Sequence, residues 1–291
     1  SPQNQSVETE ISSPSQGQID SLVNLYQSGQ MTETEQACRE LLQAYPQSVF
    51  IMNVLGATLS VQGKLQEAVQ TYDRAIQLKP DYPDARLNRG DVLVEMGRHK
   101  DAIQDFDKSN TPMGRARALE CLYTVGQNED FYERLRTLPE VDQTSRRVAA
   151  ISAFAANQLN CENPHLFCKD PLSFLHVSHI GDFTDKFMDE LIKELRLRPS
   201  VWEPSGITTK FGYQTASDLF VNPIGNVAKL QQIIVERIWS YYSKFKSQKC
   251  LFIDLWPEEI NLQGWFVRLI RQGHQESHIH QDGWLSGVVY L

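Results

Sequence analysis

Glycine recurs at positions 29, 63 and 97 in the settings Ser-Gly-Gln, Gln-Gly-Lys and Met-Gly-Arg, each 34 residues from the next. A period of that length points to stacked helix pairs. One pair cannot bury its apolar face alone, so each unit needs a neighbour on either side. The register repeats in detail: Gly56 returns as Gly90, Ala68 as Ala102 and Tyr72 as Phe106. A small residue in each helix lets the pair pack closely, and an aromatic ring fills the gap beside the next unit. Pro46 and Pro80 stand where a helix must stop.

Leu55-Gly56, Ala68, Tyr72, Ala75 and Pro80 together resemble the tetratricopeptide repeat. The resemblance covers 49–110 and degenerates over 18–48, where Leu22 and Thr34 stand at the small positions. It implies an α-solenoid that binds a peptide or protein along its concave face. Beyond 110 the period decays. Gly126 follows Gly97 after 29 positions, 114–125 with 129–138 read as a further hairpin, and 144–159 as one more helix carrying Val148, Ile151, Ala155 and Leu159 at helical spacing. This stretch is expected to cap the array. Arg86 and Arg89 beside Asn88 read as charges on a solvated helix, so no ligand-binding residue is assigned.

The predicted organisation is a disordered leader over 1–17, a helical array over 18–160 and a second domain over 161–291, since 291 residues exceed what one core usually serves. The leader is rich in Ser, Gln and Pro and unlike a secretion signal. A net charge of −8 argues against nucleic acid as a partner. No apolar run approaches the ~20 residues of a membrane helix. Cys38, Cys121, Cys161, Cys168 and Cys250 are odd in number and form no CxxC pair, which reads as free buried thiols in a reducing cytoplasm. A cytoplasmic protein without membrane contact is the expectation.

The second half changes texture, with prolines at 164, 171, 199, 204 and 223. Amphipathic helices are predicted over 183–197 and 227–245. Strands are predicted over 200–202, 208–212, 265–270 and 287–291, which gives an α+β arrangement with helices buttressing a sheet. Three of seven histidines fall between 274 and 280. On a strand, His278, His280 and Asp282 would share one face. Two imidazoles and a carboxylate are plausible donors to a first-row metal.

The phrases Phe211-Gly212-Tyr213-Gln214-Thr215, Gly264-Trp265-Phe266-Val267-Arg268-Leu269 and Gly273 through Leu291 resemble a group of Fe(II)/2-oxoglutarate-dependent oxygenases, in which such a domain follows tetratricopeptide repeats. The resemblance implies a double-stranded β-helix (jelly roll) holding Fe(II) through two histidines and a carboxylate, with 2-oxoglutarate as cosubstrate. His280 is the favoured ligand. Whether Asp282 or His278 joins it is open, and the residues of the cofactor clamp are unassigned. His274 is expected at the strand entrance, with His165, His176 and His179 as packing or surface residues. The family's distal His and basic clamp are absent from the chain. It therefore reads as a truncated, inactive fragment of a hydroxylase whose repeats recruit a protein substrate. The competing reading is a non-catalytic tetratricopeptide scaffold with an oxygenase-like platform.

Overall fold

The computed structural model describes residues 13–179, 184–204, 208–276 and 283–291. The chain divides between Leu138 and Pro139 into two compact units. The first is built of four helix pairs: α1 (Gln16–Gln27) with α2 (Met31–Ala44), α3 (Val49–Val61) with α4 (Leu65–Leu78), α5 (Pro83–Glu95) with α6 (His99–Ser109), and α7 (Pro112–Thr124) with α8 (Asn128–Arg136).

Within each pair the turn is the same object. Gly29, Gly63, Gly97 and Gly126 take φ between 74° and 76°, the left-handed region that only glycine enters without cost. That conformation lets the next residue's N–H reach back to a carbonyl five positions earlier: Gln30 to Leu25, Lys64 to Leu59, Arg98 to Leu93 and Gln127 to Leu122, at 2.7–3.1 Å. The last free carbonyls of each first helix are thereby satisfied. The second helices consequently start without side-chain caps, at Gln30, Lys64, Arg98 and Gln127. The first helices follow looser loops and carry other start signals. Ser15, Ser48 and Thr111 accept a backbone N–H, and Pro83 and Pro112 occupy the first turns of α5 and α7.

Inside the pairs the small positions are needed. A Cβ on Gly56 would lie 2.6 Å from the Tyr72 ring, and one on Gly90 2.5 Å from Phe106. The glycines leave room for the aromatic rings, and Ala68 and Ala102 are fully buried in the facing helices. One period earlier the sizes are exchanged: Leu22 and Cys38 occupy the positions of Gly56 and Tyr72, and both are buried. Large and small residues trade places while the core stays filled.

The second unit opens with a 3₁₀ turn (Glu140–Asp142) and α9 (Arg146–Leu159), followed by a second 3₁₀ turn (Pro171–Phe174), α10 (Asp185–Arg196), β1 (Ser200–Trp202), β2 (Thr209–Thr215), α11 (Gly225–Phe245), the single-turn α12 (Leu251–Asp254) and β3 (Val267–Gln275). Ala149 of α9 belongs to a core with Phe167, Tyr241, Phe245, Phe252 and Ile253. A second core joins α10 to α11 through Leu191, Leu195, Val227 and Leu230, with Leu219, Phe220 and Phe266 against it.

The sheet is antiparallel in the order β1-β2-β3. Trp202, Tyr213 and Arg268 are cross-strand partners. Trp202 meets Tyr213 edge to face with ring centroids 5.0 Å apart, and the Arg268 guanidinium lies 4.6 Å from the Tyr213 ring centre. The β2–β3 register shifts between Lys210 and Gly212, where Phe211 takes φ 49°. Gly273 is required there, since a Cβ would lie 2.5 Å from the Phe211 carbonyl oxygen.

This sheet overturns the oxygenase reading of the second half. Three strands in an open sheet, with β1 and β3 as free edges among the described residues, are not a closed double-stranded β-helix. Residues 287–291, predicted as a buried strand, are in no regular element, and Val288 and Tyr290 are exposed. An apolar run becomes a strand only where a neighbour takes up its hydrogen bonds, and none pairs with it here among the described residues.

Candidate functional site

The metal centre expected from the sequence finds no support. His278, His280 and Asp282 lie outside the described residues. Among the described residues, no group of three or more His, Cys, Asp or Glu side chains is placed to hold an ion. Fe(II) and 2-oxoglutarate therefore have no basis as cofactors, and the parent-oxygenase reading falls with them.

Three other histidines stand on the surface or in packing. His274 sits on β3, exposed. His176 is exposed, its Nδ1 3.0 Å from Lys244 Nζ. His165 is buried, and its ring joins two segments. Phe167 N–H donates to Nδ1 at 3.2 Å, which leaves the proton on Nε2 to be donated to the Asp142 carbonyl, also at 3.2 Å. Burial lowers its pKa, outweighing the Asp142 carbonyl.

One row of organised polar residues lies on the first helices of the pairs. α3 lies against α5, and α5 against α7. Their contacts are side-chain pairs: Asn88 Nδ2 donates to Asn53 Oδ1 at 3.0 Å, and Arg117 Nη2 forms an ion pair with Asp91 Oδ1 at 2.7 Å. Arg117 Nη1 also reaches Glu120 Oε2 at 3.2 Å. All five residues are partly buried. The result is a polar ladder of amide, acid, guanidinium and acid running along α3, α5 and α7. An asparagine amide carries two donors and an acceptor oxygen with two lone pairs. The Asn53–Asn88 bond uses one donor and one lone pair, so both amides keep capacity for a further partner.

Behind the ladder is a feature that the sequence reading missed. Arg86 and Arg89 are not solvated helix charges. Arg89 donates through Nε to Asp105 Oδ2 at 2.6 Å, through Nη2 to Asp105 Oδ1, and through Nη1 to Asp73. Arg86 Nη1 reaches Asp105 at 3.4 Å and gives Nε and Nη2 to the Pro80 carbonyl at 2.9 and 2.7 Å. The Asp105 side chain is 3% exposed. Donation to Asp105 holds the Arg89 guanidinium above its ordinary range despite partial burial. The signal was in the period itself: Arg89 lies 34 residues after Leu55, a buried apolar position. A charge at such a position needs a buried counter-charge.

A family model described as a TPR repeat matches residues 61–97, which span the Gly63 turn, α4, α5 and the Gly97 turn. The peroxisomal targeting signal receptor of Candida albicans is 28% identical over 123 residues, 40% of this chain and 21% of that protein. The probable biofilm formation methyltransferase WspC of Pseudomonas aeruginosa is 31% identical over 86 residues, 30% of this chain and 20% of that one. The chain thus spans about a fifth of the length of these relatives. A tetratricopeptide repeat protein from Parabacteroides merdae has 17% identity and a TM-score of 0.45, over 50% of this chain and 59% of that one. No helix among the described residues is long and apolar enough to cross a membrane.

Proposed function

We propose that the first unit is a binding module for an extended segment of another protein, taken along the face made by α3, α5 and α7. The observation that carries this is the Asn53–Asn88 pair, with the Asp91–Arg117–Glu120 group one helix further. An extended peptide presents alternating N–H and C=O groups, and the two amides can answer both kinds. The ion group beyond sets a polar boundary and favours a partner with paired charges over an apolar one. The tetratricopeptide match over 61–97 supports the reading, as does similarity to receptors named for a targeting signal. The work of the chain, on this reading, is recognition rather than chemistry.

The test is selection of phage-displayed random linear peptides on the full chain, followed by titration of a selected peptide. An enriched consensus is expected. Asn53→Ala with Asn88→Ala should weaken that peptide about tenfold or more, the loss of two hydrogen bonds of ~1 kcal/mol each, with helix content unchanged. Failure to enrich any consensus, or unaltered affinity in the double variant, removes this face as the site.

A further inference from the structure

We propose that Cys168 and Cys250 are a redox-active dithiol that closes to an intramolecular disulfide on reaction with a low-molecular-weight disulfide or hydrogen peroxide. All five cysteines are free thiols, but only these two are brought together by the fold on several independent counts. Both pack against the same aromatic core, around Phe167, Tyr241 and Phe252. Both line one cavity of about 250 Å³, together with Lys169, Asp170 and Lys249. Their segments are pinned beside each other by the Phe252 N–H donating to the Phe167 carbonyl at 2.9 Å. The Cys168 side is fixed again by the buried Asn163, whose Nδ2 donates to the Cys168 carbonyl at 3.0 Å while its Oδ1 accepts from Ser152.

The two positions are 82 residues apart in the chain. No spacing motif advertises them, and only the packing of the 161–175 segment on α11 and α12 makes them neighbours. Neither is solvent-exposed as Cys161 is, yet neither is sealed as Cys38 and Cys121 are. The cavity that both thiols line gives a small oxidant access to them.

With oxidised glutathione the reaction is two exchanges. One protein sulfur attacks the reagent's S–S bond after losing its proton, forming a mixed disulfide and releasing one glutathione. The second protein sulfur then attacks the mixed disulfide and releases the other. Two thiols lose two hydrogens to the reagent's two sulfurs. With hydrogen peroxide the first sulfur becomes a sulfenic acid and the second displaces water from it, for two waters overall. Burial, with Cys250 and Asp170 adding to it, pushes the Cys168 thiol up to about 12. The exchange is therefore slow at neutral pH, and the incubation belongs in mildly alkaline buffer.

The experiment uses the full chain, incubated with oxidised glutathione or with hydrogen peroxide, alkylated and digested without reduction. The expected result is a cross-linked peptide pair containing Cys168 and Cys250, lighter by two hydrogens than the separate peptides, in clear excess over any other cysteine pair. The disulfide closes a long loop. Tryptophan fluorescence, which reports on the second unit because all five tryptophans lie there, should show the thermal midpoint raised by several degrees and restored by reductant. Cys250→Ser should abolish both effects. Full modification of the exposed Cys161 while Cys168 and Cys250 remain reduced, or carry separate adducts, overturns the proposal. So does a cross-link that forms equally well in denaturant, since that pairing would owe nothing to the fold. The peptide map of the unaltered chain decides the matter even if a variant fails to fold.

Discussion

The exchange of large and small residues between Leu22/Cys38 and Gly56/Tyr72 can be tested by copying one period onto the next. Gly56→Ala places a methyl 2.6 Å from the carbons of a Tyr72 ring that is 1% exposed. The ring must move about 1 Å inside a filled core, at a cost on the order of 1–3 kcal/mol. Gly→Ala in a helix returns up to about 1 kcal/mol of propensity, which leaves a net loss of about 0–2 kcal/mol. Gly56→Leu cannot be absorbed by so small a shift and should cost more than about 3 kcal/mol. Tyr72→Cys alone empties the space of a ring and should cost about 3–4 kcal/mol. In the double variant the leucine enters the space that the ring vacated, as Leu22 is placed beside Cys38's helix one period earlier. The pair should be less destabilised than the sum of its parts, with a favourable coupling of about 2–3 kcal/mol. Urea unfolding followed by far-ultraviolet circular dichroism measures all four species. Additive losses would refute the argument that the glycine is there for the ring.

Three further outcomes follow from the same geometry. Asp105→Ala leaves the Arg86 and Arg89 guanidiniums facing each other with their shared carboxylate gone, and urea unfolding should show a loss of about 3–5 kcal/mol; a loss below about 1 kcal/mol would mean water replaces the carboxylate freely. His165 has its folded pKa lowered, so the unfolded chain binds the proton first, and stability present above the ordinary value near 6.5 is lost as pH falls through it towards the folded value. The tryptophan-detected urea midpoint should therefore decline over that window, and His165→Gln should flatten this part of the profile. Gly273→Ala drives a methyl towards the Phe211 carbonyl oxygen 2.5 Å away; it should destabilise the second unit by about 1–3 kcal/mol, read by the same fluorescence, while Gly287→Ala, with open space around it, should be near neutral.

What could be read from the sequence and what could not divide along a physical line. The helix pairs were legible because their determinants are local and repeated. A left-handed glycine, the helix it ends and the helix it starts all lie within one 34-residue period, so each period checks the others. The same regularity could have revealed the Arg89–Asp105 network, since a charge at the period-equivalent of a buried leucine is visible without a structure; what the sequence lacked was the identity of the counter-charge. The Asn53–Asn88 pair was not legible, because either asparagine alone is an ordinary residue on a helix and the pairing depends on how α3 meets α5. In the second unit the determinants are distant. β2 finds β3 across more than fifty residues, through α11 and α12, and a strand's existence depends on that partner. Residues 287–291 have a strand's composition and are irregular, with no partner strand among the described residues. A short run such as His-Ile-His-Gln-Asp carries a face only if it is a strand, and a metal site only if other elements close around it. Its likeness to an oxygenase motif lay wholly in local sequence, whereas the observed sheet is set by long-range pairing that such a likeness does not constrain. The thiols of Cys168 and Cys250 show the converse, a juxtaposition with no local trace at all. For this chain the period is the trustworthy signal, and chemistry in its second half has to be argued from contacts.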